Sequence, residues 1–433
     1  MYFRNRLVLI ALIISAPALC LADWRSDADA RIELLRKGDF SLNVTDASGA
    51  PLRGAVVRYR LIHHAFLFGT AIAYAPFADP GPDGQAYRKF ILDNFSGLVC
   101  ENEMKWYDNE AERGHIDYSQ ADALLAFAEA NGLKMRGHNL CWEKEKYAPH
   151  WQPQLGDVEL RDAVDSRIRT SVSRYKGRVV CWDVDNEMLD GSFYRTRLGF
   201  DTIAWMFKEA NRIDPAAPLF VNEYGILGNP EKTERLISLV QSLRANGAQV
   251  GGVGIQSHDS DRLTFKPGTN AGETDRPDWM LRSPLTPEAF LATLDRIHEA
   301  TGLPIHLTEV SAKDHDPVKR ADALETLFRL GFSHEAVQAI LVWGFGAKTH
   351  WMGPDAALMD ADNTLNAAGI RISHLLQEEW TTRGSVQADP GGRADFRGFY
   401  GVYTLEVSLP DGRKVTREAR FSKSGETESL RAD

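Results

Sequence analysis

Short apolar runs alternate with longer amphipathic stretches over most of the chain. Runs of strand length lie at residues 66–70, 97–102, 134–140, 179–184, 218–221, 252–256, 304–308 and 339–343. Between them apolar positions recur at helical spacing, at 118–131, 159–175, 200–213, 231–246 and 287–301. Strands and helices in this rhythm predict an α/β fold, a (β/α)8 TIM barrel. A doubly wound open sheet shares the alternation, but no glycine-rich phosphate loop follows the first strand. Residues 259–284, rich in Asp, Gly, Pro and Arg, predict a long loop of the kind that shapes a site.

The ends of the chain read differently. Ile32, Leu34 and Leu35 among charges predict a short helix over 27–37. Phe40, Leu42 and Val44 then alternate with polar residues, 46–51 turns, and 56–62 returns, which predicts a hairpin. Tyr403, Leu405, Val407 and Leu409 alternate in the same way before Pro410-Asp411-Gly412 and the run 414–421. Isolated hairpins are marginal in water, so the N- and C-terminal hairpins are expected to meet in one small β unit beside the barrel. Few aromatics beyond Phe399, Tyr400 and Tyr403 could stack on a sugar there, so a structural brace is expected rather than a binding module. The expected organisation is a helix and hairpin over 23–62, a barrel over 63–382, and a β segment over 383–433.

Arg4 and Arg6 precede the apolar run 7–14, and small residues follow up to Ala22, the layout of a secretory signal peptide over 1–22. The run is short for a membrane span, and the bulky Leu19 weakens a lipoprotein reading of Cys20. A secreted or periplasmic protein, free of the membrane after cleavage, is expected. With 43% hydrophobic and 25% charged residues among 433, the chain can bury a large core. A net charge of −10 without a basic block argues against nucleic acid as a partner. Beyond the leader stand Cys100, Cys141 and Cys181, each in an apolar run and without a metal or redox spacing, so they read as buried hydrophobes.

Barrel active sites form where the strands end. Here the strand ends carry Glu101-Asn102-Glu103-Met104-Lys105, His138 to Trp142, Asp183-Val184-Asp185-Asn186-Glu187, Asn222-Glu223-Tyr224, Gln256-Ser257-His258 and Thr308-Glu309, with Trp343 and Trp351 after the last. A single rim glutamate is usually solvated or ion-paired, and a single histidine structural. Two glutamates on different strands among amides and indoles are instead the parts for glycoside cleavage, in which two carboxyl groups flank one bond. Indoles suit the apolar faces of pyranose rings, and amides suit their hydroxyls.

In these motifs and their order the chain resembles the family-ten glycoside hydrolases, the endo-β-1,4-xylanases, from about Phe66 to Trp380. The segments Arg136 to Glu143, Met188 to Tyr194 and Phe396 to Gly401 resemble the subgroup that includes plant xylanases. The resemblance implies a retaining double displacement on xylan and xylo-oligosaccharides, with Glu187 as acid/base and Glu309 as nucleophile. It implies that Asn186 bonds the sugar 2-hydroxyl and that Glu101, Asn102, Lys105, His138 and Trp142 bind the glycone. Gln256, Trp343 and Trp351 would wall the reacting sugar, Tyr224 would line the cleft, and His258 would bond the nucleophile. No metal or cofactor is implied. A β-1,4-glucanase, a hydrolase of xylo-oligosaccharides and a non-catalytic carbohydrate-binding barrel are the alternatives.

Three positions depart from the family pattern. Glu143 follows Trp142 where many relatives have His, which bears on the glycone side. Ser311 stands where many have Asp, so protonated His258 is expected to be less stabilised and the pH profile altered. Gly346 replaces a large aromatic of plant-like relatives and is expected to open the cleft.

Overall fold

The structure is a computed structural model that describes residues 23–265, 280–281, 283–409 and 412–432. The leader read at 1–22 and the middle of the long loop, 266–279, lie outside the described residues. A helix, Trp24–Leu35, leads into β1 (Lys37–Asp46) and β2 (Val56–His64). The strands β3 (Leu67–Ile72), β4 (Gly97–Cys100), β5 (Lys134–Trp142) and β6 (Trp182–Asn186) follow. After them come β7 (Leu219–Tyr224), β8 (Gly252–Ser257), β9 (Ile305–Val310) and β10 (Val337–Val342). The chain ends with β11 (Arg383–Gln387), β12 (Arg393–Phe399), β13 (Gly401–Ser408), β14 (Lys414–Phe421) and β15 (Thr427–Ala432).

Strands β3 to β10 pair in sequence order and β10 closes on β3, which makes an eight-stranded parallel barrel. Helices between the strands start where the sequence says they should. Asn229-Pro230, Thr286-Pro287 and Asp316-Pro317 each place a capping side chain before a proline at the first helical position. Strands β4, β6, β7, β8 and β9 are buried along their whole length, so none alternates between buried and exposed positions; β4 is apolar throughout, whereas β6 to β9 also bury polar residues.

The two ends of the chain do meet beside the barrel, but β1 and β2 are not a hairpin. β1 pairs antiparallel with β12 and parallel with β15, while β2 lies between β11 and β13. Only the C-terminal pair β13–β14 forms the predicted hairpin. The physical reason is that both faces of the unit are needed. Phe40 on β1 stacks on Phe421 at 4.4 Å and meets Phe396 edge-on, and Tyr59 on β2 stacks on Phe396 at 4.1 Å. A lone hairpin would leave those rings in water, whereas two facing sheets bury them. The unit covers the amino-terminal end of the barrel: Arg36 donates to the carbonyls of Phe332, His334 and Val337, at the start of β10.

Cys100, Cys141 and Cys181 are buried and free, and burial pushes all three thiols up, Cys181 to about 12. Among the described residues no helix is long and apolar enough to cross a membrane.

Candidate active site

The carboxyl-terminal ends of the barrel strands surround a cleft with a cavity of about 260 Å³. A larger cavity, about 470 Å³, lies at the opposite end between the strand starts and the terminal β unit, and its walls contain no Asp or Glu. Of these two cavities, only the one at the strand ends is lined by carboxyl groups.

Glu309 ends β9 and is almost fully buried. Asn222 Nδ2 donates to its Oε1 at 2.7 Å, and His258 Nε2 lies 3.0 Å from its Oε2. Burial by itself would raise this carboxyl. The His258 hydrogen bond and the positive potential of His138, His258 and Lys105 outweigh it and hold Glu309 below the ordinary glutamate value. The floor beneath is a buried polar chain. Arg136 pairs with Asp183, and Asp183 in turn meets His138 Nδ1 at 2.9 Å. Asp183 thus orients the imidazole beneath Trp343, whose ring centroid is 5.2 Å away.

Glu187 follows β6 with φ 58°, a left-handed conformation that costs a non-glycine residue about 1–3 kcal/mol. The turn is held by its own N–H, which donates to Asn222 O at 3.0 Å, and by Gly191 N–H, which donates to its carbonyl. It brings the side chain into the cleft, where Lys144 Nζ lies 2.5 Å from Oε2 and Gln256 Nε2 donates to Oε1 at 3.3 Å.

Between the two carboxyl groups runs a set of amides whose orientation is fixed. Thr308 Oγ1 donates to Asn222 Oδ1 at 2.6 Å, so the Asn222 amino group must point the other way, toward Glu309 and Asn186. Asn186 Oδ1 accepts from Asn222 and Gln256, which leaves its own amino group without a protein acceptor among the described residues. Gly254 makes room for this network: a Cβ there would lie 2.4 Å from Asn222 Oδ1.

The other predicted residues line the same space. Lys105 is buried, 5.0 Å above the Trp142 ring and 5.5 Å above Trp343. Burial lowers its pKa, and Glu309, Glu101 and Glu187 only partly restore it. Burial pushes Glu101 up to about 7 against the pull of Lys105. Asn102 accepts from Tyr107 at 2.8 Å, and Tyr224 accepts from Lys144 at 3.2 Å. Trp351 remains 43% exposed, with its ring edge-on to His258 at 4.7 Å. His138 and Asn186 support the cleft from directly behind its lining.

Two of the departures do not reach the cleft. The Glu143 side chain points away and accepts from the N–H groups of Tyr194 and Arg195, where it anchors the helix Phe193–Leu198. Gly346 is buried in a turn bridged to Met359, so the expected opening of the cleft at this glycine is not seen. Ser311 does face His258, with Oγ 3.4 Å from Nδ1. Sequence reasoning missed Tyr107, Lys144, Lys146 and Tyr147, which line the cleft, and Asn222, which orders it. Asn222 could have been found from its place beside Glu223 at a strand end. The lysines sit past Trp142, Lys144 just before and Lys146 within a single 3-10 turn, Glu145–Tyr147, with no pattern to mark them.

Comparison with known proteins agrees with this geometry. Residues 59–371 match the profile described as Glycosyl hydrolase family 10. Over 404 residues the chain is 38% identical to anti-sigma-I factor RsgI6 of Acetivibrio thermocellus, a match covering 93% of this chain and 49% of that protein. Over 387 residues it is 34% identical to endo-1,4-beta-xylanase 2 of Arabidopsis thaliana, covering 89% of this chain and 34% of that one. The chain thus spans between about a third and a half of the length of these two relatives. Its structure resembles that of xylanase 10B from Thermotoga petrophila RKU-1 in complex with xylobiose, with a TM-score of 0.62 and 26% identity over 73% of this chain and 95% of that one. The matched span takes in all eight barrel strands and every cleft residue named above, and the chain belongs to glycosyl hydrolase family 10.

Proposed function

We propose that this protein is an exported endo-β-1,4-xylanase that works by a retaining double displacement. One observation carries the reading: Glu187 and Glu309 enter one aromatic-walled cleft from different strands, and the surroundings of Glu309 favour its ionised form. In the first step Glu309 attacks the anomeric carbon while Glu187 gives its proton to the departing glycosidic oxygen, leaving the sugar covalently on Glu309. With that charge consumed, Glu187 takes a proton from water, the hydroxide attacks the same carbon, and Glu309 is released. The amino group of Asn186, just behind the lining and without a protein acceptor among the described residues, is the donor suited to the 2-hydroxyl of a sugar seated deep between the two glutamates. Lys144 pairs with Glu187, and this contact has to loosen for Glu187 to carry the proton that it gives to the leaving oxygen.

The names of the Arabidopsis and Thermotoga relatives support xylan as the substrate. A second reading, a barrel that binds the polysaccharide without cleaving it, is favoured by the identity to a protein named as an anti-sigma factor. Reducing-sugar release from xylan and from a β-1,4-glucan, compared with Glu309→Ala, separates them. Release from xylan by the wild type, lost in the variant while binding persists, is expected. Binding without release supports the second reading, and preferential release from the glucan identifies a glucanase. Export rests on the leader pattern, and amino-terminal sequencing of the mature protein is expected to begin at Asp23.

A further inference from the structure

The loop after β5 gives the cleft a feature that neutral sugar does not require. Lys144, Lys146 and Tyr147 all line the cavity beside Trp142, whereas Glu145 between them does not. Trp142 and Tyr147 stack face to face on each other with centroids 3.8 Å apart, so together they form one aromatic platform at the cleft wall rather than two separate faces for stacking on sugar. Lys146 Nζ stands 4.5 Å over the Tyr147 ring at the edge of that platform.

The three cleft lysines differ in what they are committed to. Lys105 is buried among Glu309, Glu101 and Glu187, and Lys144 is paired with Glu187 at 2.5 Å. Lys146 is exposed and has no carboxylate within ion-pair distance among the described residues. Hydroxyl groups do not call for a full positive charge. An ammonium on a flexible stem suits a carboxylate whose orientation varies with its linkage. The overall charge of −10 would repel an acidic polysaccharide, but beyond about 8–10 Å that field is screened, so a local cation decides what happens at the platform.

We propose that Lys146 makes this cleft selective for xylan chains that carry carboxylate side groups, that is, uronic-acid branches. This deepens the xylanase reading and rests on it. The ammonium of Lys146 pairs with the branch carboxylate while the backbone xylose lies against the Trp142–Tyr147 platform.

The test compares kcat/KM on three xylo-oligosaccharides of equal length: unbranched, bearing one glucuronic-acid branch, and bearing the same branch with its carboxyl reduced to the alcohol. The wild type is expected to favour the acidic over the reduced branch by about 2- to 5-fold at low salt, the range for an exposed ion pair. The ratio should fall to about one in high salt. Lys146→Met should abolish it, Lys146→Arg retain it and Lys146→Glu reverse it. Equal rates on acidic and reduced branches in the wild type overturn the proposal, as does a preference that survives in Lys146→Met. The wild-type comparison stands whether or not a variant folds. No cleavage of any of the three substrates overturns the hydrolytic reading itself, whereas cleavage without charge preference overturns only the role of Lys146.

Discussion

The ring nitrogen Nε2 of His258 lies 3.0 Å from Oε2 of Glu309. Of the contributions that oppose burial at Glu309, this hydrogen bond is the largest. A carboxyl held below its usual value stays ionised as pH falls, so the acidic limb of kcat/KM should lie below the ordinary glutamate range. His258→Ala removes the contact and should move that limb to higher pH, with kcat reduced roughly 10²-fold. Ser311→Asp should move it the other way, because a carboxylate beside Nδ1 favours the protonated ring. pH–rate profiles of the two variants check both signs, and a limb that stays in place in both would refute the coupling.

Asn222 joins the two halves of the site by donating to Glu309 and to Asn186 from one amino group. Asn222→Ala should lower kcat by about 10²-fold with a smaller effect on KM, since it removes a preorganised donor rather than a sugar contact. Steady-state kinetics on xylo-oligosaccharides decide this. A change confined to KM would mean that Asn222 acts in binding.

Behind the cleft, burial raises Glu143 to about 7 and Glu223 to about 8. Both values lie above those of the unfolded chain, so between about pH 4.5 and 8 the folded state holds protons that the unfolded state has lost. Stability contributed by these groups is therefore complete at acidic pH and falls as pH rises through 7 and 8. The melting temperature should drop between pH 5.5 and 8.5, and Glu223→Gln should flatten that drop. Differential scanning calorimetry at the two pH values is the measurement, and an identical slope in the variant would count against it.

Phe40 anchors the terminal β unit through its stack on Phe421. Phe40→Ala should cost about 3–5 kcal/mol in urea unfolding, the range for removing a buried phenylalanine. The unit lies at the end of the barrel away from the cleft, so kcat/KM of the folded variant should match that of the wild type. A fall in kcat/KM at full foldedness would contradict the reading of the unit as a brace.

Much of this protein was legible in the sequence because period and position report physics directly. Strands buried on both faces are rich in apolar residues, and helices must show one apolar face, so the eight strands and their order followed from the pattern. Polar residues at the ends of those strands had to converge, and Glu187 and Glu309 do line one cleft. What tertiary structure alone decided was pairing and direction. β1 and β2 have the alternation of a hairpin, yet the rings of Phe40 and Tyr59 are buried only if the strands join separate sheets. Glu143 stands beside Trp142 in sequence but turns away to anchor a helix, while Lys144 and Lys146 turn in. Side-chain direction in a loop depends on contacts with residues far along the chain, such as Glu187 for Lys144, and no local period encodes them.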